Sequence, residues 1–257
     1  MSTSLKIMSF NMRFDTPADK NNSFQSRKGR IADFLNEERA DIIGFQEITP
    51  AMRDWLVDTL SDYYTVGVGR AEDYSGETAL IAFRKDTMAL KSCDTVMLST
   101  TPEIFGSRYD GSDQSPCPRE YVRVCLKHRD IADPFYVYNV HTDHRGQIAR
   151  MLAVSQIMRD IASRREKFFL TGDFNALPEA PEISMITSCA SRPVIDATAS
   201  LGGTFHDFGR LDCPQKIDYI FTDATIKIRE CARVQDEPLE NRTYISDHNP
   251  IYIIAEL

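Results

Sequence analysis

Short runs of β-branched and aromatic residues, each closed by turn-forming or polar positions, recur along the chain. They fall at Leu5–Phe10, Ile42–Phe45, Tyr64–Val68, Thr78–Phe83, Tyr121–Lys127, Phe135–Val140, Lys167–Leu170, Ile217–Phe221, Ile226–Cys231 and Ile251–Ala255. Apolar runs of this length between turn signals are read as strands. Three stretches predict helices instead: Arg27–Glu38, Pro50–Ser61 and Gln147–Ser163, the last with Ile148, Met151, Leu152, Ser155, Met158, Ile161 and Ala162 along one stripe. Strands and helices mix without strict alternation, which predicts an α/β (α+β) layered fold rather than one all-parallel sheet. Two long segments, Ser99–Arg119 and Ala199–Lys216, are rich in Gly, Pro, Ser and Asp. Loops that long inside a folded domain are usually functional, and substrate selection is expected there.

A second pattern lies on the first. Leu5–Phe10 runs out at Asn11, Ile42–Phe45 leads through Gln46 to Glu47, and Phe135–Val140 stops at His141. The strand before Gly172 leads to Asp173 and Asn175, Ile217–Phe221 contains Asp218, and the last strand follows Ser246, Asp247, His248 and Asn249. Taken singly, each has an ordinary explanation: Asn11 a turn cap, Glu47 a solvated helix start, Gly172–Asn175 an Asx turn. Together they place carboxylates, amides and imidazoles at one rim of a sheet, the way layered enzymes build sites.

Composition narrows the partners. The 257 residues, 42% of them hydrophobic, suit one large domain spanning 1–257. A formal charge of −8 without a block of Lys or Arg weighs against long polyanions and favours a compact phosphorylated substrate. A locally basic cleft would still admit nucleic acid, because net charge says little about one site. The six cysteines include no Cys-x-x-Cys pair, so zinc ligation is not expected. No apolar run is long enough to span a bilayer, and the expectation is a soluble cytoplasmic protein.

The ordered set Ser9-Phe10-Asn11, Gln46-Glu47, Asn139-Val140-His141, Thr171-Gly172-Asp173-Phe174-Asn175, Ile217-Asp218-Tyr219-Ile220 and Ser246-Asp247-His248 resembles the motifs of the endonuclease/exonuclease/phosphatase superfamily. That group includes deoxyribonuclease I, apurinic endonucleases, neutral sphingomyelinases, inositol polyphosphate 5-phosphatases and deadenylases. The likeness runs from residue 9 to residue 248, and the Gly-Asp-Phe-Asn and Ser-Asp-His signatures are its most specific parts. Residues 11–19, 67–70, 76–77, 83–86, 141–144 and 203–206 are similar to uncharacterised bacterial members. The resemblance implies a deoxyribonuclease I-like four-layer α/β/β/α sandwich, two mixed sheets face to face, with the site at one edge.

It also implies roles. Glu47, and with it Asp247 and Asn11, would hold a divalent cation; an all-oxygen set suits magnesium, with manganese as its substitute. His248 would act as general base, oriented by Asp218, while Asp173 holds or deprotonates the attacking water. Asn175 and His141 would donate hydrogen bonds to the phosphoryl oxygens. Arg119 fits a bidentate phosphate clamp or a solvated rim position equally, His206 and Glu77 are weaker candidates for substrate contact, and Asp143 and His144 fit loop scaffolding. The function expected is metal-dependent phosphoester hydrolysis on a small phosphorylated molecule. A nuclease or deadenylase acting on single strands, and an inactive member that binds a phosphorylated ligand or a protein, are the alternatives.

Overall fold

The computed structural model of the chain describes residues 3–236 and 243–257. Its strands form two six-stranded sheets. In the first, β1 (Ser4–Asn11), β2 (Ile42–Gln46), β3 (Tyr63–Val66), β4 (Ile81–Arg84), β11 (Lys227–Arg233) and β12 (Ile251–Glu256) take the order β11-β12-β1-β2-β4-β3. In the second, β5 (Met88–Met97), β6 (Glu120–His128), β7 (Phe135–His141), β8 (Phe168–Asp173), β9 (Val194–Asp196) and β10 (Asp218–Asp223) take the order β5-β6-β7-β8-β10-β9. Each sheet contains one parallel pair, β1 with β2 and β7 with β8, and its other neighbours are antiparallel. A parallel pair needs a crossover, and here α1 (Phe24–Glu38) and α3 (Gln147–Ala162) supply it.

Alternation of side chains along the strands builds the layers. On β1, Leu5 and Ile7 face the other sheet while Met8 and Phe10 pack outward with Ile31 and Leu35 of α1 and with Met52 and Leu56 of α2 (Pro50–Thr59). On β7 and β8, Val137 and Phe169 face inward while Tyr138, Leu170 and Phe168 pack on Ala153, Val154 and Ile157 of α3 and on Ile183 of α4 (Pro181–Thr187). The result is helix, sheet, sheet, helix, as the resemblance implied.

The inner faces do not stay apolar. Along β1 the inward positions run Leu5, Ile7, Ser9, Asn11, and along β2 they run Ile42, Gly44, Gln46; along β7 they run Phe135, Val137, Asn139, His141 and along β8 Phe169, Thr171, Asp173. Registers align these changes: Ser9 lies beside Gly44 and Asn11 beside Gln46, while Asn139 pairs with Thr171, His141 with Asp173 and Asp173 with Asp218. One end of the sandwich interior is therefore a polar layer. Gln46 Nε2 donates to Asn139 Oδ1 at 2.6 Å across the two sheets, and Asn139 Nδ2 donates back to Phe45 O at 2.7 Å and Leu80 O at 3.0 Å.

Several elements differ from the expectation. Helix α1 begins at Phe24 rather than Arg27 because Asp15 Oδ1 accepts the Phe24 N–H at 3.2 Å, capping a turn that the local pattern leaves open. The run from Thr78 enters the ladder only at Ile81, with Thr78 forming an isolated bridge to Ile48. Strand β5 was not expected: it is an edge strand, exposed along most of its length and bulged between Leu90 and Ser92, so it lacks the alternation of a half-buried strand. The three-residue β9 and the single-sided α4 are likewise too short to leave a periodic trace. The loop 99–119 has no strand of its own, yet it is tied down, since Asp113 accepts the N–H groups of Ile148 and Ala149 and so caps α3 from a distance.

Close approach of the sheets at the polar layer depends on Gly44, where a Cβ would overlap Thr171 Oγ1 and come within 2.6 Å of Asn139 Oδ1. Gly44→Ala is expected to destabilise the protein by about 1–3 kcal/mol, the range for overfilling a packed interior. A urea unfolding midpoint that does not move would show that the sheets separate there at no cost.

Candidate active site

The polar layer opens at its rim into a cavity of about 650 Å³. Glu47, His141, Asp173, Asn175, Asp247 and His248 line it, so the structure brings these distant segments to one place. A cavity of about 710 Å³ opens at the other end of β7 and β8, bounded by residues such as Ile131, Pro134 and Lys167, and contains none of this constellation.

At the centre stands Asp173, 2% exposed. Its Oδ2 accepts from Asn11 Nδ2 at 2.9 Å and lies 3.6 Å from His141 Nε2 and 3.8 Å from His248 Nε2, while Oδ1 takes the Asn175 N–H at 2.9 Å. Behind His248, Asp218 Oδ2 contacts the ring Nδ1 at 2.8 Å and accepts from Thr204 Oγ1 at 2.5 Å. This contact fixes Nδ1 as the protonated nitrogen facing Asp218 and leaves Nε2 toward Asp173 and the cavity. Phe205, within the stretch 203–206, packs its ring on His248 with centroids 4.8 Å apart, a positioning contact.

Electrostatics separate the two histidines. Burial alone would lower the His248 imidazole, but the adjacent Asp218 carboxylate, with Asp173 and Asp247, pushes it up to about 10. His141 is driven well below the usual imidazole value by burial and then by the positive charges of Arg119 and Arg70. Burial raises Asp173, and the neighbouring Asp218 charge raises it further. A cationic imidazole, a neutral imidazole and a carboxyl group lifted from its ordinary range thus share one cavity, and divergent titration of this kind marks functional sites.

Glu47 and Asn175 reach the cavity by leaving the strand conformation. Both adopt left-handed backbone, with φ of 64° and 46°, as does Arg13 with φ of 56°. Asparagine accepts that region readily, whereas Glu47 and Arg13 pay strain to turn toward the cavity. Glu47 Oε1 accepts from Asn11 Nδ2 at 3.2 Å and Oε2 from the Phe14 N–H at 3.0 Å. Asn11 Oδ1 accepts from the Arg13 N–H at 2.9 Å, so Asn11 bridges Glu47 and Asp173 as a donor in this arrangement. Arg13, which the sequence reading did not single out, pairs bidentately with Asp19 and holds its Nε 3.7 Å from Asp247 Oδ2.

Among the described residues, Asp173, Asp218 and His248 offer ligand atoms that lie within 4.8 Å of one another and could hold a metal ion. His248 Nδ1 and Asp218 Oδ2 are already in hydrogen-bond contact, and a protonated His248 would have to give up a proton before its ring could bind an ion. Glu47 and Asp247 fit a hard cation by donor type: both are oxygen ligands on the cavity wall, and in the structure both face the positive charge of Arg13.

The weaker candidates divide. Arg119 and Glu77 line the cavity, and Arg119 is only 4% exposed, which overturns the reading of a solvated rim arginine. His206 is 6% exposed and not part of the lining; its ring Nδ1 accepts the Gly209 N–H and its backbone N–H donates to Asp247 O, so it braces the Asp247 segment. Asp143 does not pair with His141: it accepts from Ser115, Arg145 and Gly146 and secures the loop 99–119. Both long loops reach the cavity, with Cys117 from one and Phe205, Asp207 and Gln215 from the other.

The sequence profile of the Endonuclease/Exonuclease/phosphatase family matches residues 8–248, and the chain belongs to that family. The crystal structure of an endonuclease/exonuclease/phosphatase from Bacteroides vulgatus superposes with a TM-score of 0.92 at 31% identity, covering 99% of each chain. A mannosyl-6-phosphatase, Bt3783, from Bacteroides thetaiotaomicron matches with a TM-score of 0.88 at 24% identity, over 98% of this chain and 99% of that one. D. rerio TDP2 complexed with single strand DNA product shares the fold at 16% identity, with a TM-score of 0.78 over 99% and 100% of the two chains. No curated protein sequence matches the chain. Members of the family are phosphoester hydrolases and generally use divalent metals.

The Asp218–His248 pair makes a titration test direct. In metal-free protein the His248 ring is expected to titrate near 10, and in Asp218→Asn well below that, because burial persists while only the Asp173 and Asp247 charges remain to oppose it. The raised value means that this pair's stabilisation is complete below the unfolded imidazole value of about 6.5 and is lost as pH rises through the folded value. Histidine NMR shifts followed against pH check both statements; an unshifted His248 in the wild type would refute the pairing.

Proposed function

We propose that the protein is a divalent-metal-dependent hydrolase of phosphoester bonds acting on a small phosphorylated substrate. The observation that carries this reading is the single cavity in which His248, charged by Asp218, and neutral His141 flank the raised carboxyl group of Asp173. Attack of water on a phosphoester needs a positioned base and donors for the charge gathering on the phosphoryl oxygens.

Asp173 is the better placed base. Its raised titration keeps it a useful proton acceptor near neutrality, while Asn11 and the Asn175 N–H hold its orientation. Protonated His248 then acts as donor, through Nε2, to a phosphoryl oxygen or to the departing alkoxide. His141, held neutral, offers a hydrogen bond without adding a full charge, and the Asn175 side chain, whose Nδ2 rests on Thr142 O at 3.3 Å, offers another. Magnesium, or manganese in its place, would be held by Glu47 and Asp247, with Asn11 able to join by turning its amide, and would supply Lewis acidity to the phosphoryl group. The acidic overall charge supports a small substrate over a long polyanion.

His248→Ala and Asp173→Ala are each expected to lower kcat/KM by several orders of magnitude, as for members of one catalytic unit, and chelation is expected to abolish turnover. The pH profile should be bell-shaped: activity rises through the raised Asp173 value as its carboxyl group ionises and falls as His248 loses its proton. A panel of p-nitrophenyl phosphate, bis-p-nitrophenyl phosphate and short oligonucleotides, with and without magnesium, decides the matter. Wild-type rates in either variant sink the assignment, as does a panel without turnover; strong preference for oligonucleotides replaces it with a nuclease.

A further inference from the structure

The His141 side of the cavity holds more positive charge than the reaction above employs. Arg119 is 4% exposed and Arg70 8%, and both line the cavity with His144 and Cys117. Arg70 is partly spent, since its Nη2 pairs with Glu77 Oε2 at 2.9 Å. Arg119 is not. Its Nη2 meets His144 Nδ1 at 2.9 Å, but its Nε stands 3.9 Å from Asp143 Oδ2, and neither Nε nor Nη1 has a hydrogen-bond partner among the described residues. Asp143 cannot turn to it without giving up Ser115, Arg145 and Gly146.

A buried guanidinium with donors unmade is costly, and its planar fork matches a phosphate oxygen pair better than any other side chain does. Burial, then the adjacent charge of Arg70, also lowers the affinity of Arg119 for its own proton, so an incoming anion would relieve both penalties. We propose that Arg119, with Arg70 beside it, forms an anion subsite for a terminal phosphate, and that the cavity thereby selects phosphomonoester dianions over diesters. The inference rests on the phosphoester-hydrolase reading above. A monoester dianion carries one more charge and one more non-bridging oxygen than a diester; with His248 serving the departing alkoxide, His141 and Asn175 supply donors for two oxygens and leave the third for Arg119. Because Arg119 is only 4% exposed, a phosphate seated on it has packed protein beside it and less room for the second substituent of a diester.

The test combines binding with turnover on the full chain. Calorimetric titration of wild type should show inorganic phosphate and methyl phosphate binding at least tenfold tighter than dimethyl phosphate, and Arg119→Gln should weaken the first two at least tenfold. Wild type should favour p-nitrophenyl phosphate over bis-p-nitrophenyl phosphate in kcat/KM, and in Arg119→Gln that ratio should fall at least tenfold. Arg119→Lys, which keeps the charge but not the fork, should recover part of it, and thermal melts of both variants identify any that misfold. Equal losses on the two esters, losses on neither, or a wild-type preference for the diester would overturn the subsite. Turnover of neither ester by wild type would instead defeat the hydrolase reading, and the phosphate titration would then decide the subsite by itself.

Discussion

The hydrogen bond from Gln46 to Asn139 ties the two sheets together where their shared interior changes from apolar to polar. Two sheets packed through aliphatic side chains have no reason to admit carboxylates between them. Here each inner face gives up its hydrocarbon two positions before the strand ends, and amides and hydroxyls fill the space as mutual partners. Gly44 lets the sheets approach closely enough for Gln46, Asn139 and Thr171 to satisfy one another. The layer is paired through the Gln46 and Asn139 amide nitrogens, while Gln46 Oε1 has no hydrogen-bond partner among the described residues; the more of these groups are paired, the more rigid such a layer is. It forms the floor on which Asp173, Asp218 and His141 stand.

Residues beyond the strand ends need other support. Arg27, wholly buried on α1, donates to Asn22 O, Met12 O, Ile245 O and Arg13 O. One side chain thereby joins the segment leaving β1 to the segment carrying Asp247 and His248. Ser246 adds a second tie, donating to Asn11 O and accepting the His248 N–H at 3.3 Å. Held from both sides, Glu47 and Arg13 can persist in left-handed backbone that they would not adopt alone.

What the sequence made legible follows from this division. Alternation along buried strands is a local property, and Leu5–Phe10, Phe135–Val140 and Ile251–Ala255 all lie within observed strands. The polar residues at strand ends could be picked out because they break that alternation, which is why Asn11, His141, Asp173 and Asp218 were visible. Strand β5 was invisible because its pairing with β6, and not its own pattern, makes it a strand. Arg13, Arg70 and Phe205 were missed for a related reason: their places depend on backbone turns and loop contacts between segments far apart in the chain. The stretches 11–19, 67–70 and 203–206 contain these residues but give none of them a contact or a role.

The same architecture explains how so many charges are tolerated in so little space. Asp173 and Asp218 are both nearly buried, and like charges that close would repel unless one is neutralised or a cation lies between. His248 supplies that cation to both, its Nδ1 to Asp218 and its Nε2 toward Asp173. Arg13, held bidentately by Asp19, likewise faces Glu47 and Asp247, so the acidic wall is divided into two groups of carboxylates, each around one positive group. A substrate phosphate adds anionic charge to a cavity balanced in this way. On the proposed reading, such a phosphate is met by the unmade donors of Arg119, since Arg70 already pairs with Glu77, or by a divalent ion held near Glu47 and Asp247.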